Sequence, residues 1–238
     1  MSSLYDRLNL TKPLKLREVL PKPSMWERLN LERPIKPKCS DCRSLIELNW
    51  RICPHCGAML TNPKTAPQHC IWVDASGVCL NDQNREAMLE VLGDSFSKVF
   101  SAFRSVHVFL TSEPPEAYKW GSNFTHVYIM LADDEPVDYL GIASFKLRVV
   151  TDRALVRLDQ IINASNRVNL SLNQLSNLIA NTVVHEIGHT LGLAHSDLTT
   201  DVMHDGLDHQ VHSVMPPSFH AEQIMMMNHA IHRHKALP

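Results

Sequence analysis

The chain has 238 residues, of which 44% are hydrophobic and 20% are charged, and its formal net charge is −2 at pH 7. This length and composition allow one sizeable hydrophobic core and a smaller module, and the lack of an apolar run long enough to cross a bilayer excludes a membrane-spanning class. The residues after Met1 contain no apolar stretch typical of a secretory signal peptide, which predicts a cytoplasmic protein.

The first 37 residues form a segment rich in proline and basic side chains. Its five prolines exclude a long helix or a central strand, so we expect an extended segment. Residues 5–15 and 26–36 repeat one pattern, in which an aromatic residue and an acid precede Arg-Leu-Asn-Leu and a proline. The repeat is either a duplicated segment that packs on the folded domains or a pair of docking motifs for a protein partner.

Charge divides the chain into two parts. Residues 1–68 carry 12 Lys and Arg against 6 Asp and Glu, whereas residues 69–238 carry 11 against 19. These opposite balances favour two functional parts. A basic part can serve a nucleic acid, an acidic partner or solubility alone.

Four cysteines within residues 38–62 have the spacing of a metal site. Cys39, Cys42, Cys53 and Cys56 form two Cys-x-x-Cys pairs, and four thiolates make a closed tetrahedral site, so we predict a zinc ribbon stabilised by a structural zinc. The alternative is a redox dithiol pair or disulfides. The island resembles the short zinc ribbons of intracellular proteins, which bind nucleic acid, bind protein or brace a domain.

Residues 69–238 have the patterns of a single catalytic domain. Strand-like runs cover residues 70–74, 106–110, 125–131, 141–147 and 154–158. Helical patterns begin at Asn81 or Asp82, at a capping box of Ser171 and Gln174, and at about Ser218. This order of elements predicts an α/β (α+β) fold with a mixed sheet.

The helix that begins at Ser171 carries the chemistry. A spacing of four places His185 and His189 on one helical face, where both imidazoles can bind one metal. Gly192 can adopt the left-handed backbone that ends a helix and lets His195 approach as third ligand. Three imidazoles leave one open position, which is typical of a catalytic zinc site that activates a water, and Glu186 is placed to act as general base.

The segment His185-Glu-x-x-His189-x-x-Gly192-x-x-His195-Ser196 resembles the signature of the metzincin zinc metalloproteases, with Ser196 similar to the matrixin branch. The resemblance covers roughly residues 69–235 and implies a mostly parallel twisted sheet, an active-site helix and a C-terminal helix. It also implies a Met-turn beneath the zinc, formed by Met203 or alternatively by Met215. The strand resembling the family's substrate-binding edge contains Gly141, Ile142, Ala143 and Ser144, along which a peptide would add by β-augmentation.

Two matrixin features are missing from the sequence. No extra His and Asp cluster for structural zinc and calcium precedes the motif, and no Pro-Arg-Cys-Gly segment is present. Secretion, calcium dependence and cysteine-switch latency are therefore not implied. The motif predicts a zinc-dependent endopeptidase acting on proteins or peptides, with one catalytic and one structural zinc. The competing interpretation is a catalytically inactive zinc-binding adaptor that acts through the ribbon and the repeats, on a protein or a nucleic acid.

Overall fold

The computed structural model describes residues 39, 42–44, 53, 55–56, 68–78, 85–121, 123–132, 137–206 and 209–235. The strands are β1 (His69–Gly77), β2 (Val108–Thr111), β3 (Phe124–Met130), β4 (Gly141–Ala143) and β5 (Arg153–Arg157). The helices are α1 (Arg85–Ala102), α2 (Ala117–Trp120), α3 (Leu158–Val168), α4 (Leu172–Thr190), α5 (His209–Val214) and α6 (Ala221–Lys235). The repeated segment 1–37, the expected helix start at Asn81 or Asp82 and most of the island 38–62 lie outside the described residues. None of the described helices is long and apolar enough to cross a membrane.

The strands form one five-stranded sheet in the order β2-β1-β3-β5-β4. Neighbouring strands run parallel except β4, which pairs antiparallel with β5 from Gly141 opposite Val156 to Ala143 opposite Ala154. Parallel strands need long crossover connections: helix α1 lies between β1 and β2, and the segment that contains β4 connects β3 to β5. The prediction of a mixed, mostly parallel sheet with helices is therefore confirmed.

Helix α4 lies at the centre of the domain, packed against β3, β5 and β4 on one side and against α1 on the other. Every residue of α4 from Leu175 to Thr190 is buried. A helix covered on all sides carries apolar residues on more than one face. Five apolar side chains of α4 are inaccessible to solvent: Leu175, Leu178, Ile179, Val183 and Ile187. A helix held this firmly is a rigid base for metal ligands.

The start of α4 is set by local sequence. The Ser171 hydroxyl accepts a hydrogen bond from the Gln174 backbone N–H at 3.3 Å, and the Gln174 side chain accepts one from the Ser171 backbone N–H at 2.9 Å. This is the predicted capping box, in which two backbone donors without a partner inside the helix are satisfied by side chains.

The region around β4 and β5 differs from the sequence prediction. The strand expected to reach residue 147 ends at Ala143, where its ladder with β5 ends, and the chain turns at Arg148, which has a left-handed φ of 58°. The run expected at 154–158 ends one residue early, because Leu158 already belongs to α3. Helix α3 itself was not predicted. It ends at Asn169, which has a left-handed φ of 57°. Asparagine commonly adopts this conformation at helix ends, so the residue type was a signal available in the sequence.

His69, at the start of β1, is buried between two polar partners. Its Nδ1 lies 3.1 Å from Asn123 Oδ1 and its Nε2 lies 2.9 Å from Thr125 Oγ1. Burial lowers the pKa of His69 to about 4. The unfolded chain binds this proton near pH 6.5 and the folded chain does not, so the stability contribution of the neutral ring is lost as pH falls from about 6.5 to about 4.

We therefore expect His69→Gln to reduce the loss of stability that accompanies acidification. The difference between the free energies of unfolding at pH 7 and pH 4 should shrink by up to about 3 kcal/mol in this variant. Urea unfolding at both pH values measures it. His229, which is exposed on α6, provides the matched control, since His229→Gln should leave the difference as in the original chain. An unchanged difference for both variants would contradict the expectation.

Candidate metal centre

Three imidazole nitrogens converge at one end of α4. His189 Nε2 lies 3.0 Å from His185 Nε2 and 3.0 Å from His195 Nε2, and the ligand atoms of all three residues lie within 4.8 Å of one another. His185 and His189 are buried on successive turns of α4, whereas His195 reaches them from the segment after the helix. The three histidines singled out in the sequence are therefore brought together by the fold.

The hydrogen bonds of the other ring nitrogens decide what this cluster can hold. His185 Nδ1 lies 2.8 Å from the Val202 carbonyl and His189 Nδ1 lies 2.9 Å from the Leu193 carbonyl. A carbonyl only accepts, so each Nδ1 carries the proton and each Nε2 presents a lone pair to the centre. Burial also lowers the pKa of His185 to about 4, which keeps its ring neutral.

The cluster fits a zinc ion. Two lone pairs that face each other at 3.0 Å repel unless a cation lies between them. Tetrahedral zinc with Zn–N bonds of about 2.0–2.1 Å holds its nitrogen ligands about 3.3 Å apart, close to the observed spacing. Neutral imidazoles oriented by backbone carbonyls are also the usual donors for zinc.

A turn after α4 brings His195 to the other two histidines. The Gly192 N–H donates to the His189 carbonyl at 2.9 Å, and the Leu193 N–H donates to the Gly188 carbonyl at 3.0 Å. This is the Schellman pattern of helix termination, and Gly192 has the left-handed φ of 87° that it requires. His195 then follows, with its Nδ1 3.6 Å from an Asp205 carboxylate oxygen.

Glu186 is buried on α4 against the edge strand. A Cβ atom placed on Gly141 of β4 would lie 2.5 Å from Glu186 Oε1 and 2.6 Å from its Cγ. Only a glycine at this position leaves room for the carboxylate. Burial raises the pKa of Glu186 to about 8, so the group can exchange a proton near neutral pH.

We expect Gly141→Ala to displace the Glu186 carboxylate and to lower kcat of any reaction in which that carboxylate accepts a proton about 10–100-fold, because a shift of about 1 Å at a reacting group costs rates of this order. Zinc content should stay at the original value, since no histidine ligand is touched. Steady-state kinetics with metal analysis checks this. Arg153→Ala, at an exposed position of the neighbouring strand β5, is the control for general damage to this part of the sheet. Unchanged kcat in Gly141→Ala would show that the carboxylate tolerates the methyl group.

The structure distinguishes between the two methionines. Met203 is fully buried, and its Sδ and Cε atoms pack against Gly188 of α4, between the two histidines of that helix. Its carbonyl accepts a hydrogen bond from the Ser196 N–H at 2.8 Å. Met215 is 55% exposed. Met203 therefore lies beneath the histidine cluster, and Met215 lies on the surface.

Three polar residues that support the site were missed in the sequence. Asp201 is buried, accepts the Met203 N–H at 2.8 Å and accepts two bonds from Gln223 of α6. Asn177 and Asn181 of α4 donate to backbone carbonyls of residues 212–215 and hold that segment beside the helix. A pair of asparagines four apart inside an apolar helix was the available signal, because buried amides need partners.

The edge strand β4 holds three of the four residues expected to bind substrate. Among the described residues β4 pairs only with β5, and its other side is free of strand partners. The Ser144 N–H lies just beyond the strand and still donates to the Arg153 carbonyl at 2.9 Å. Ile142 projects into solvent, whereas Gly141 faces Glu186. The free edge therefore begins next to the buried carboxylate.

The four cysteines form a second cluster. Cys39 Sγ lies 3.7 Å from Cys56 Sγ, Cys42 Sγ lies 3.6 Å from Cys53 Sγ, and all four atoms lie within 4.8 Å of one another. No disulfide joins them. A tetrahedral zinc with Zn–S bonds of about 2.3 Å holds its sulfurs about 3.8 Å apart, so the donor set fits zinc. Hydrogen bonding to Ser44 lowers the pKa of the Cys42 thiol to about 6, which favours the metal-binding thiolate.

A metallopeptidase family matches the part of the sequence that contains the three histidines. Residues 96–196 match the sequence model of a family described as metallopeptidase family M12B, Reprolysin-like. This stretch contains His185, Glu186, His189 and His195. A comparison with curated proteins found no match.

Several solved structures resemble the chain. Archaemetzincin from Methanopyrus kandleri is 13% identical, with 70% of this chain and 97% of that chain covered and a TM-score of 0.43. A zinc-dependent peptidase from Methanocorpusculum labreanum is 15% identical, covering 67% and 100% with a TM-score of 0.46. Archaemetzincin from Archaeoglobus fulgidus is 20% identical, covering 66% and 99% with a TM-score of 0.39. The family match together with the three-histidine cluster supports a zinc metallopeptidase.

Proposed function

We propose that this protein is a zinc-dependent endopeptidase of the metzincin type, similar to the matrixin branch. The observation that carries the proposal is the convergence of the Nε2 atoms of His185, His189 and His195, with two of the three rings oriented by backbone carbonyls. A buried carboxylate, Glu186, follows the first of these ligands in the chain. Three neutral nitrogen ligands, with a carboxylate beside them that can accept a proton, are the groups that a hydrolytic zinc site needs.

In this proposal the three histidines hold the catalytic zinc, which when bound supplies an acidified water and polarises the scissile carbonyl. Glu186 accepts a proton from the attacking water at a carboxylate oxygen. It then passes that proton to the nitrogen of the leaving amine. Burial raises the pKa of Glu186 and a nearby cation lowers it, so these opposing effects keep the group able to take and return a proton.

The substrate would bind as an extended strand along Gly141, Ile142, Ala143 and Ser144. Support comes from the free edge of β4 and from the position of Gly141 against Glu186, which puts a peptide added there beside the proton acceptor. We assign the Met-turn to Met203, because it is buried against Gly188 while Met215 is exposed. Met203 would then act as an apolar floor beneath the ligands.

The cysteine cluster would hold the second, structural zinc, in a ribbon that spans residues 38–62 between the segment 1–37 and the catalytic domain 69–238. Four free thiols at metal spacing favour a reducing, cytoplasmic compartment. The repeats within residues 5–36 remain candidates for docking a protein partner. A nucleic-acid partner for the basic ribbon is an alternative to that role.

Chelation and product mapping on the full-length protein test the proposal. Incubation with a denatured protein should yield peptides cut at internal bonds, identified by mass spectrometry. A chelator should stop cleavage and added zinc should restore it. His185→Ala, prepared in parallel, should release no peptides and so excludes a contaminating protease. If the original chain and His185→Ala behave alike, the inactive adaptor is the better description.

A further inference from the structure

The ribbon and the catalytic domain touch at a charged contact that neither zinc site explains. Arg43, directly after the cluster ligand Cys42, places its guanidinium 2.8 Å from Asp94 Oδ1 on α1. Asp94 Oδ1 is buried and makes no hydrogen bond among the described residues. The guanidinium therefore gives this oxygen a charged partner, which a buried carboxylate oxygen requires.

Asp94 also connects α1 to the helix that carries the histidines. Its Oδ2 accepts the Ser176 hydroxyl of α4 at 2.9 Å and lies 2.8 Å from Lys98 Nζ. Lys98 in turn donates to the Ser176 hydroxyl at 2.8 Å and to the Asn173 side chain at 3.3 Å. A continuous polar network thus runs from the cysteine cluster through α1 to α4.

Arg43 lies in the backbone turn closed by the hydrogen bonds from the Arg43 N–H to the Cys39 carbonyl and from the Cys39 N–H to the Ser44 carbonyl. Arg43 has a φ of 62°, in the left-handed region where glycine or asparagine costs less than other residues. A long charged side chain at such a position is explained by what it contacts. Here it contacts Asp94 across the junction between the two zinc-binding parts.

Apolar packing joins the same two parts. Cys39 and Cys53 are fully buried and belong to the same hydrophobic cluster as Leu92 of α1 and Leu175 of α4, and Cys42 packs against that cluster. A ribbon tethered only by a flexible linker would keep these sulfurs in a core of its own. The cysteine cluster is therefore packed on the catalytic domain.

We propose that the four-cysteine ribbon is a brace for the catalytic domain, docked through Arg43 onto Asp94, and that its metal stabilises the helix that carries His185 and His189. This role is separate from peptide hydrolysis. Because its tests measure stability and metal content, it can be confirmed or contradicted independently of the catalytic proposal. The ribbon's partner is then the chain's own α1 surface.

Arg43→Asn in the full-length protein tests the proposal, because the change in the thermal unfolding midpoint differs with and without docking. Asparagine tolerates the left-handed backbone, so without docking the substitution relieves strain and the thermal unfolding midpoint should stay or rise. With docking, the midpoint should fall by about 2–4 °C, the shift expected from losing one strong contact in a domain of this size. In an Asp94→Asn background Arg43→Asn should no longer lower the midpoint, because its partner is gone.

A second measurement removes the metal from the ribbon. Cys56→Ser replaces an exposed ligand, and metal analysis should show one zinc fewer. The brace predicts that the main unfolding transition of the catalytic domain moves to lower temperature and that Arg43→Asn adds little in this background. A main transition that stays in place after the ribbon zinc is lost, or a midpoint that stays or rises for Arg43→Asn alone, would overturn the proposal.

Discussion

Replacing Glu186 with glutamine is expected to lower kcat for peptide hydrolysis by at least about 10²–10⁴-fold while zinc remains bound. Glutamine fills the same space beside Gly141 but cannot accept a proton, so the attacking water loses its base. No histidine ligand changes, and metal analysis should therefore find the original zinc content. Steady-state kinetics on a peptide cut by the original chain measures the rate.

A stability measurement separates this effect from damage to the fold. In the metal-free protein, burial holds the pKa of Glu186 at about 8, above its ordinary value of 4.5. The folded form keeps its proton where the unfolded form has lost it, so stability falls as pH rises from about 4.5 to about 8. The metal-free Glu186→Gln variant should lack this fall and be the more stable protein at pH 8. Full activity of the zinc-loaded Glu186→Gln protein would remove Glu186 from the mechanism.

Replacing Gly192 with alanine is expected to destabilise the protein by roughly 2–3 kcal/mol, or about 5–10 °C in unfolding midpoint. Gly192 has a φ of 87°, and an added Cβ would lie 2.7 Å from Val149 N and 2.8 Å from Arg148 N. Both neighbours are backbone atoms, which cannot swing aside as a side-chain end can. The turn at Gly192 that positions His195 should shift, so zinc affinity should fall together with stability.

Gly206 is the control for this prediction. It also has a left-handed φ, of 81°, but in the described part of the chain no atom beyond its two sequence neighbours lies within 4 Å of its ideal Cβ. Gly206→Ala therefore carries the backbone strain without the clash. Thermal unfolding and zinc titration of both variants compare them. Equal effects on zinc affinity would show that the close approach at Gly192 has no special role in placing His195.

Local chemistry in the sequence predicted the parts of the site that depend on neighbours along the chain. The spacing of His185 and His189, the cap at Ser171 and the turn at Gly192 each involve residues within a few positions of one another. Their geometry follows from helix periodicity and from backbone preferences. The order of strand-like and helical runs also predicted a mixed sheet, and the resemblance to the metzincins implied that it is mostly parallel. The helix α3 was missed since its start continues β5 without a loop.

Contacts between distant segments were decided only by the tertiary structure. Met203 and Met215 both occur in short motifs, and burial against Gly188 distinguishes them. Two other contacts join residues that are far apart in sequence. Gly141 approaches Glu186 closely, and Arg43 forms an ion pair with Asp94. No periodicity encodes such pairs, because each depends on how packed elements meet in space. The ligands of both metal clusters could thus be chosen from the sequence, whereas what supports and braces them could not.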